Sequence, residues 1–218
     1  MPALIKQPDR AADIRLVTGQ SGSGKSHYVK GCTASSKRVL VWDVKGEYTG
    51  NGFQRIDGDP LALVRALKTP GAGRIAYVPR NLSEFDFWCQ AAYAWGHCDV
   101  IAEELADVTT PGKAPPGWGV ILRRGRERVL RVFAITQRPA ESDKTIMGNW
   151  TVARCFSLRR FDDRGYMAKE LGVPRSMLDS LDLERHEWVE RMANPNRLSR
   201  GDDSGRARRI AQSAIGED

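Results

Sequence analysis

The stretch Gly19-Gln-Ser-Gly-Ser-Gly-Lys-Ser26 follows a short apolar run, Ile14-Arg-Leu-Val17, and opens a segment compatible with a helix. Its spacing, G-x-x-x-x-G-K-[ST], is that of a phosphate cradle. Glycines let backbone N–H groups wrap phosphate oxygens at a helix N-terminus, where the helix dipole already favours negative charge. Lys25 then reaches the β- and γ-phosphates and Ser26 ligates Mg²⁺, while Gly19, Gln20, Ser21, Gly22, Ser23, Gly24 and His27 complete the nucleotide-binding run. Glycine makes up about 7% of an average protein, so the four specified positions match by accident in roughly one chain of this length in a hundred. The strand before and the helix after make an ordinary Gly-Ser loop the weaker reading. ATP and Mg²⁺ are the cofactors this stretch implies.

Outward from the loop, short apolar runs alternate with helical patterns. Strands are expected at 13–18, 38–44, 74–78, 99–102, 130–136 and 152–158, with a short hairpin or strand at 186–192. Helices are expected at 25–33, 61–67, 85–95 with Ser83 as N-cap, 120–128, 142–150 and 163–171. The prolines and glycines of Thr109-Thr-Pro-Gly-Lys-Ala-Pro-Pro-Gly-Trp-Gly119 read as a long loop, either functional or disordered. This alternation predicts a three-layer α/β fold with a mostly parallel central sheet between helices. Residues 1–12 read as an arm, 13–192 as one P-loop ATPase domain, and 193–218 as a basic, flexible tail.

At 218 residues and 41% hydrophobic, the chain holds one sizeable core and little besides. Lys and Arg exceed Asp and Glu by 34 to 27, a net charge of +7 that suits a polyanion such as DNA or RNA and equally a merely basic protein. Cys32, Cys89, Cys98 and Cys155 and the three histidines have no zinc-ligand spacing, and His97-Cys98 reads as a strand edge. There is no signal-peptide pattern and no apolar run long enough to span a bilayer, which points to the cytosol or the inside of a particle.

Hydrolysis needs acids near the phosphates. Asp99-Val-Ile-Ala-Glu103-Glu104 places two after an apolar run, with Glu103 as the metal-side acid and Glu104 as the base that polarises water. Acids favoured by a helix dipole are the alternative reading. Ile135-Thr-Gln-Arg-Pro139 ends the next strand and can put the Gln137 amide near a γ-phosphate.

In this order, the loop, the acids and Thr-Gln-Arg-Pro resemble the FtsK/HerA superfamily of DNA-pumping ATPases. Asp43-Val-Lys-Gly-Glu-Tyr48, Arg124-Gly-Arg126 and the run 154–164 with Asp163-Arg164 extend the resemblance over most of 14–172. It implies that Gln137 senses the γ-phosphate and that Arg124, Arg126 or Arg154 is a finger reaching a neighbouring subunit's site. It further implies a homo-oligomeric ring, hexameric or pentameric, around double-stranded DNA. Lys113 in the Pro/Gly loop, or Arg206, Arg208 and Arg209 in the tail, are candidate DNA contacts.

The short chain is most similar to the genome-packaging ATPases of membrane-containing phages and archaeal viruses. That implies a place in the host cytoplasm or on the virion, and a portal or capsid-vertex membrane protein as docking partner. A plasmid or cellular translocase is the alternative, and a small-molecule kinase a lesser one.

Overall fold

The computed structural model describes residues 12–71 and 73–211. One 10-stranded sheet runs through them in the order β10-β9-β8-β7-β1-β6-β5-β2-β4-β3. The parallel part comprises β1 (Asp13–Thr18), β2 (Val39–Trp42), β3 (Phe53–Asp57), β4 (Arg74–Val78), β5 (Asp99–Ala102), β6 (Arg131–Thr136) and β7 (Val152–Phe156). Antiparallel β8 (Trp188–Met192), β9 (Arg197–Gly201) and β10 (Ala207–Ile210) extend it beyond β7. Every residue of β2 and β5 is buried, as strands covered by helices on both faces must be.

Helices α1 (Lys25–Cys32), α2 (Pro60–Lys68), α3 (Phe85–Trp95), α4 (Leu105–Val108), α5 (Pro116–Arg124), α6 (Lys144–Met147), α7 (Phe161–Leu171) and α8 (Arg175–Asp179) supply the outer layers. The sheet divides the core in two. Trp42, Trp88, Trp118 and Phe85 pack on one side, and Val17, Val29, Phe133 and Tyr48 on the other. The expected three-layer α/β fold is therefore the one observed, and no helix of the described residues is long and apolar enough to cross a membrane.

Several expectations need correction. The Pro/Gly loop ends early, because Pro116 occupies the first turn of α5, where its missing N–H costs nothing. The helix expected at 120–128 thus starts at Pro116 and ends in a 3-10 turn, Gly125–Arg128. Trp118, read as loop, is fully buried and donates to Asp143 at 3.1 Å. Ser83 does not cap α3. The side chain of Asn81 accepts from the Ser83 N–H at 2.9 Å and starts a 3-10 turn leading into the helix.

The helix expected at 142–150 contracts to α6, capped by Asp143. Three further elements went unread, β3 with a single buried residue and the short α4 and α8. Within the stretch expected as a flexible tail, 197–210 forms β9 and β10, which pair with β8 and with each other. The arm at 1–11 and residues 212–218 lie outside the described residues.

Candidate active site

The phosphate loop joins β1 to α1 at the carboxyl end of the sheet. Its root is fixed between two strands: Gly19 donates to the carbonyl of Thr136, where β6 ends, at 3.3 Å, and Gln20 to that of Ser157, just past β7, at 2.8 Å. A Cβ on Gly19 would stand 2.8 Å from that of Phe156, so glycine is required for the loop to leave β1 here. Gly24 precedes α1 at φ 97°, a left-handed backbone that side chains disfavour. The first N–H groups of α1 have no intrahelical acceptor, and they face the loop.

Lys25 is 7% exposed, and its ammonium donates to the carbonyl of Gln20 at 2.8 Å. Burial lowers its pKa, opposed by the negative charges of Glu104 and Glu103. The hydroxyl of Ser23, buried in the loop, has no hydrogen-bond partner among the described residues. A buried cation with an orphaned hydroxyl beside it fits a phosphate group that would engage both. Ser26 is half-buried at the start of α1, and His27 is exposed.

Strand order does the rest. β6 is inserted between β1 and β5, so Gln137 emerges between the phosphate loop and the acids. Its amide donates to Oε1 of Glu104 at 2.6 Å. The ammonium of Lys45 is bonded to the same oxygen. Glu103 accepts from the hydroxyl of Tyr48 at 2.7 Å. Burial pushes the Glu103 carboxyl up to about 7; the Tyr48 bond opposes the rise and the charge of Glu104 adds to it. Glu104 itself adopts a left-handed backbone, φ 49° and ψ 51°. Loop, acids and amide thus lie together at the carboxyl end of the sheet.

Asp43 explains how the turn after β2 reaches the acids. Its carboxylate, 1% exposed, accepts from the N–H groups of Glu47 and Tyr48, both at 2.9 Å. A short acid hydrogen-bonding a few residues ahead is a turn signal legible in sequence. What the turn delivers, Lys45 to Glu104 and Tyr48 to Glu103, was not.

The three finger candidates part company. Arg154 pairs with Glu190 at 2.8 Å, and its guanidinium lies 3.9 Å from the ring centre of Tyr28 and 3.7 Å from that of Trp188. Its own fold consumes it, which removes the freedom a finger needs. Arg124 is largely exposed and pairs with Glu127 at 3.0 Å, and Arg126 lines a cavity of about 450 Å³ with Lys37, His97 and Asp99. Both lie just before β6, at the amino end of the sheet. A six-residue strand spans about 20 Å, so neither reaches its own phosphate loop.

Arg138 of Thr-Gln-Arg-Pro bonds the buried Asp163 at 2.9 Å and braces the strand end. Arg159 and Arg160, not singled out from sequence, are exposed in a cavity lined by Gln20, Ser21 and Gln137, and have no ion pair among the described residues. Lys113 is exposed in the loop before α5. Arg206, in the turn before β10, and Arg208 and Arg209 on that strand are exposed at the far edge of the sheet.

A phosphate loop after β1, acids after β5 and a glutamine just past the strand inserted between them are set in a P-loop NTPase fold of the FtsK/HerA-like kind. More narrowly, the chain belongs to the family of Protein P9 of Pseudoalteromonas phage PM2. It is 34% identical to that protein over 180 residues, 79% of this chain and 76% of the relative. No protein-family model matches it.

Among solved structures, the genome packaging NTPase B204 from Sulfolobus turreted icosahedral virus 2, in complex with AMPPCP, superposes with a TM-score of 0.69 at 17% identity, covering 88% of this chain and 97% of that one. VirB4 of Thermoanaerobacter pseudethanolicus superposes with a TM-score of 0.59 at 12% identity, covering 99% and 92%. At these identities the likeness is one of fold.

Proposed function

We propose that this chain is an ATP-hydrolysing motor that pumps double-stranded DNA into a viral capsid as a homo-oligomeric ring, hexameric or pentameric. The observation that carries the reading is the bond between Gln137 and Glu104 beside the phosphate loop. It links a group able to read the γ-phosphate to the acid able to activate water. Membership in the P9 family, and a fold shared with an NTPase described as genome packaging, support the viral setting.

In this reading Lys25 and the loop from Gly19 to His27 bind the triphosphate, and Glu104 takes the proton of the attacking water. Ser26 and Glu103 would hold Mg²⁺, which neutralises phosphate charge when bound. Arg124 or Arg126 enters a neighbour's site, because each is too far from its own. An arginine supplied in trans accelerates phosphoryl transfer by roughly 10³ to 10⁵ where it has been studied, which ties turnover to the ring.

DNA is gripped by its phosphates, since packaging ignores sequence. Lys113, Arg206 in the turn before β10, and Arg208 and Arg209 on that strand supply the charge. The motor works in the host cytoplasm or on the virion, docked on a portal or capsid-vertex membrane protein.

The test is steady-state ATP hydrolysis with and without long double-stranded DNA at low and moderate salt. Stimulation that fades as salt rises is expected of a motor held by phosphates. Turnover indifferent to DNA and raised by a small hydroxyl compound would return the chain to the kinases.

A further inference from the structure

The turn Asp43–Tyr48 has no part in the hydrolytic scheme above, yet it touches both acids. We propose that Lys45 is a positioning residue of the hydrolytic site, acting through Glu104 to hold the water-activating carboxylate in place when Gln137 turns away to the γ-phosphate. The inference rests on Glu104 being the base.

Four observations converge on this assignment. First, Lys45 and Gln137 donate to one and the same oxygen, Oε1 of Glu104, leaving Oε2 for water. A carboxylate so held has one oxygen fixed and the other free to accept a proton. Second, the backbone of Glu104 is left-handed, φ 49°, a conformation unfavourable to a residue with a side chain that persists only where its surroundings enforce it.

Third, Gln137 has a second use in this scheme: an amide that swings to the γ-phosphate moves off Glu104, to which it donates here. If its amide reads the γ-phosphate, Glu104 loses one of its two donors, and Lys45 is the one that remains. Fourth, Lys45 does not hang from a mobile loop. Asp43, buried at the end of β2, fixes the turn by accepting two backbone N–H groups, and Gly46 donates back to the Asp43 carbonyl at 3.2 Å.

The same turn holds Glu103 through Tyr48, so one rigid element sets the spacing of two like charges that would otherwise repel. The Lys45 ammonium is half exposed, and an exposed ion pair alone is worth little. Its worth here is in direction, and it should be read in catalysis and scarcely in stability.

The experiment compares wild type with Lys45→Met, Lys45→Arg, Glu104→Gln and the Lys45→Met/Glu104→Gln double variant, using purified full-length chain. Two readouts are taken: steady-state kcat and KM for ATP, and retention of a fluorescent ATP analogue after rapid dilution. Lys45→Met should lower kcat about tenfold or more with KM within about twofold, the signature of an interaction needed for the chemical step. Lys45→Arg should recover most of that loss, because it keeps a positively charged donor of similar reach.

Glu104→Gln should retain nucleotide, and adding Lys45→Met should leave that retention unchanged, since a residue that acts through Glu104 has nothing further to lose. Unchanged kcat in Lys45→Met would reduce the contact to a surface ion pair and overturn the proposal. So would a raised KM, or faster nucleotide loss in the double variant, because either places Lys45 on the phosphates directly. Failure of Glu104→Gln alone to retain nucleotide would instead overturn the base assignment on which the proposal stands.

Discussion

The two ends of β5 and β6 carry similar residues and treat them differently. At the amino end, Asp99 takes the guanidinium of Arg131, with Nε at 2.9 Å, and Arg131 also donates to the Cys32 carbonyl and the Ser36 hydroxyl, both at 3.0 Å. Arg38 nearby donates to the carbonyls of Trp95, Gly96 and His97 and lies 3.8 Å from the Trp95 ring centre. These charges are satisfied within the chain. At the carboxyl end the bonds are provisional: Lys25 rests on a loop carbonyl, Gln137 and Lys45 share one oxygen, and the Ser23 hydroxyl has no partner among the described residues. A charge whose bonding capacity is filled by its own fold stabilises; one left with capacity to spare can act on something else.

That contrast breaks most sharply at Lys25. Lys25→Ala should abolish ATP turnover while the melting temperature stays within a few degrees of wild type, as followed by phosphate release and thermal denaturation. A variant that turns over ATP normally would remove the carboxyl end as the reactive one.

A smaller effect concerns the acid with the displaced pKa. Glu103 titrates at about 7 in the folded chain because it is buried, against about 4.3 when unfolded. The folded state therefore binds the proton more tightly. Stability from this group is fully present below about pH 4.3 and is lost as pH rises from there through about 7, by roughly 4 kcal/mol in all. Melting between pH 5 and 8 should show this loss in the nucleotide-free protein, and Glu103→Gln, with no charge to bury, should flatten it. An identical slope in both proteins would mean that the acid is no worse solvated than those at the amino end.

Smaller still is the mirror experiment. Asp99→Ala leaves the Arg131 guanidinium without its charged acceptor and should cost about 2 kcal/mol of stability, with turnover per folded molecule near wild type. A large loss of turnover would erase the division between the two ends.

Much of the carboxyl end was legible because its elements announce themselves locally. The phosphate loop is contiguous, β2 is an unbroken apolar run and β5 an apolar run after Asp99, and Glu103-Glu104 and Gln137 follow strands that could be read directly. What stayed hidden depends on contacts between distant residues. Nothing near Lys45 in sequence names Glu104, and Arg154 looked available until β8 brought Glu190 and Trp188 against it. β3 and β10, the two edges of the sheet, escaped for another reason, and β9 beside β10 is equally polar. Strands at the edges of a sheet need bury few side chains, so Phe53–Asp57 and Ala207–Ile210 have the polar composition of loops.

The place of β1 has a consequence for how the molecule is made. It is the first strand in the described chain, yet both its neighbours, β6 and β7, come more than a hundred residues later; Thr151 donates to the carbonyl of Ile14 across 137 positions. Contacts so far apart are costly to close and slow to form. During synthesis the phosphate loop emerges early, but the two carbonyls that root it arrive only with Thr136 and Ser157. The growing chain is without the two carbonyls that root its phosphate loop until residue 157 has been made, so the loop takes its place only as the sheet closes.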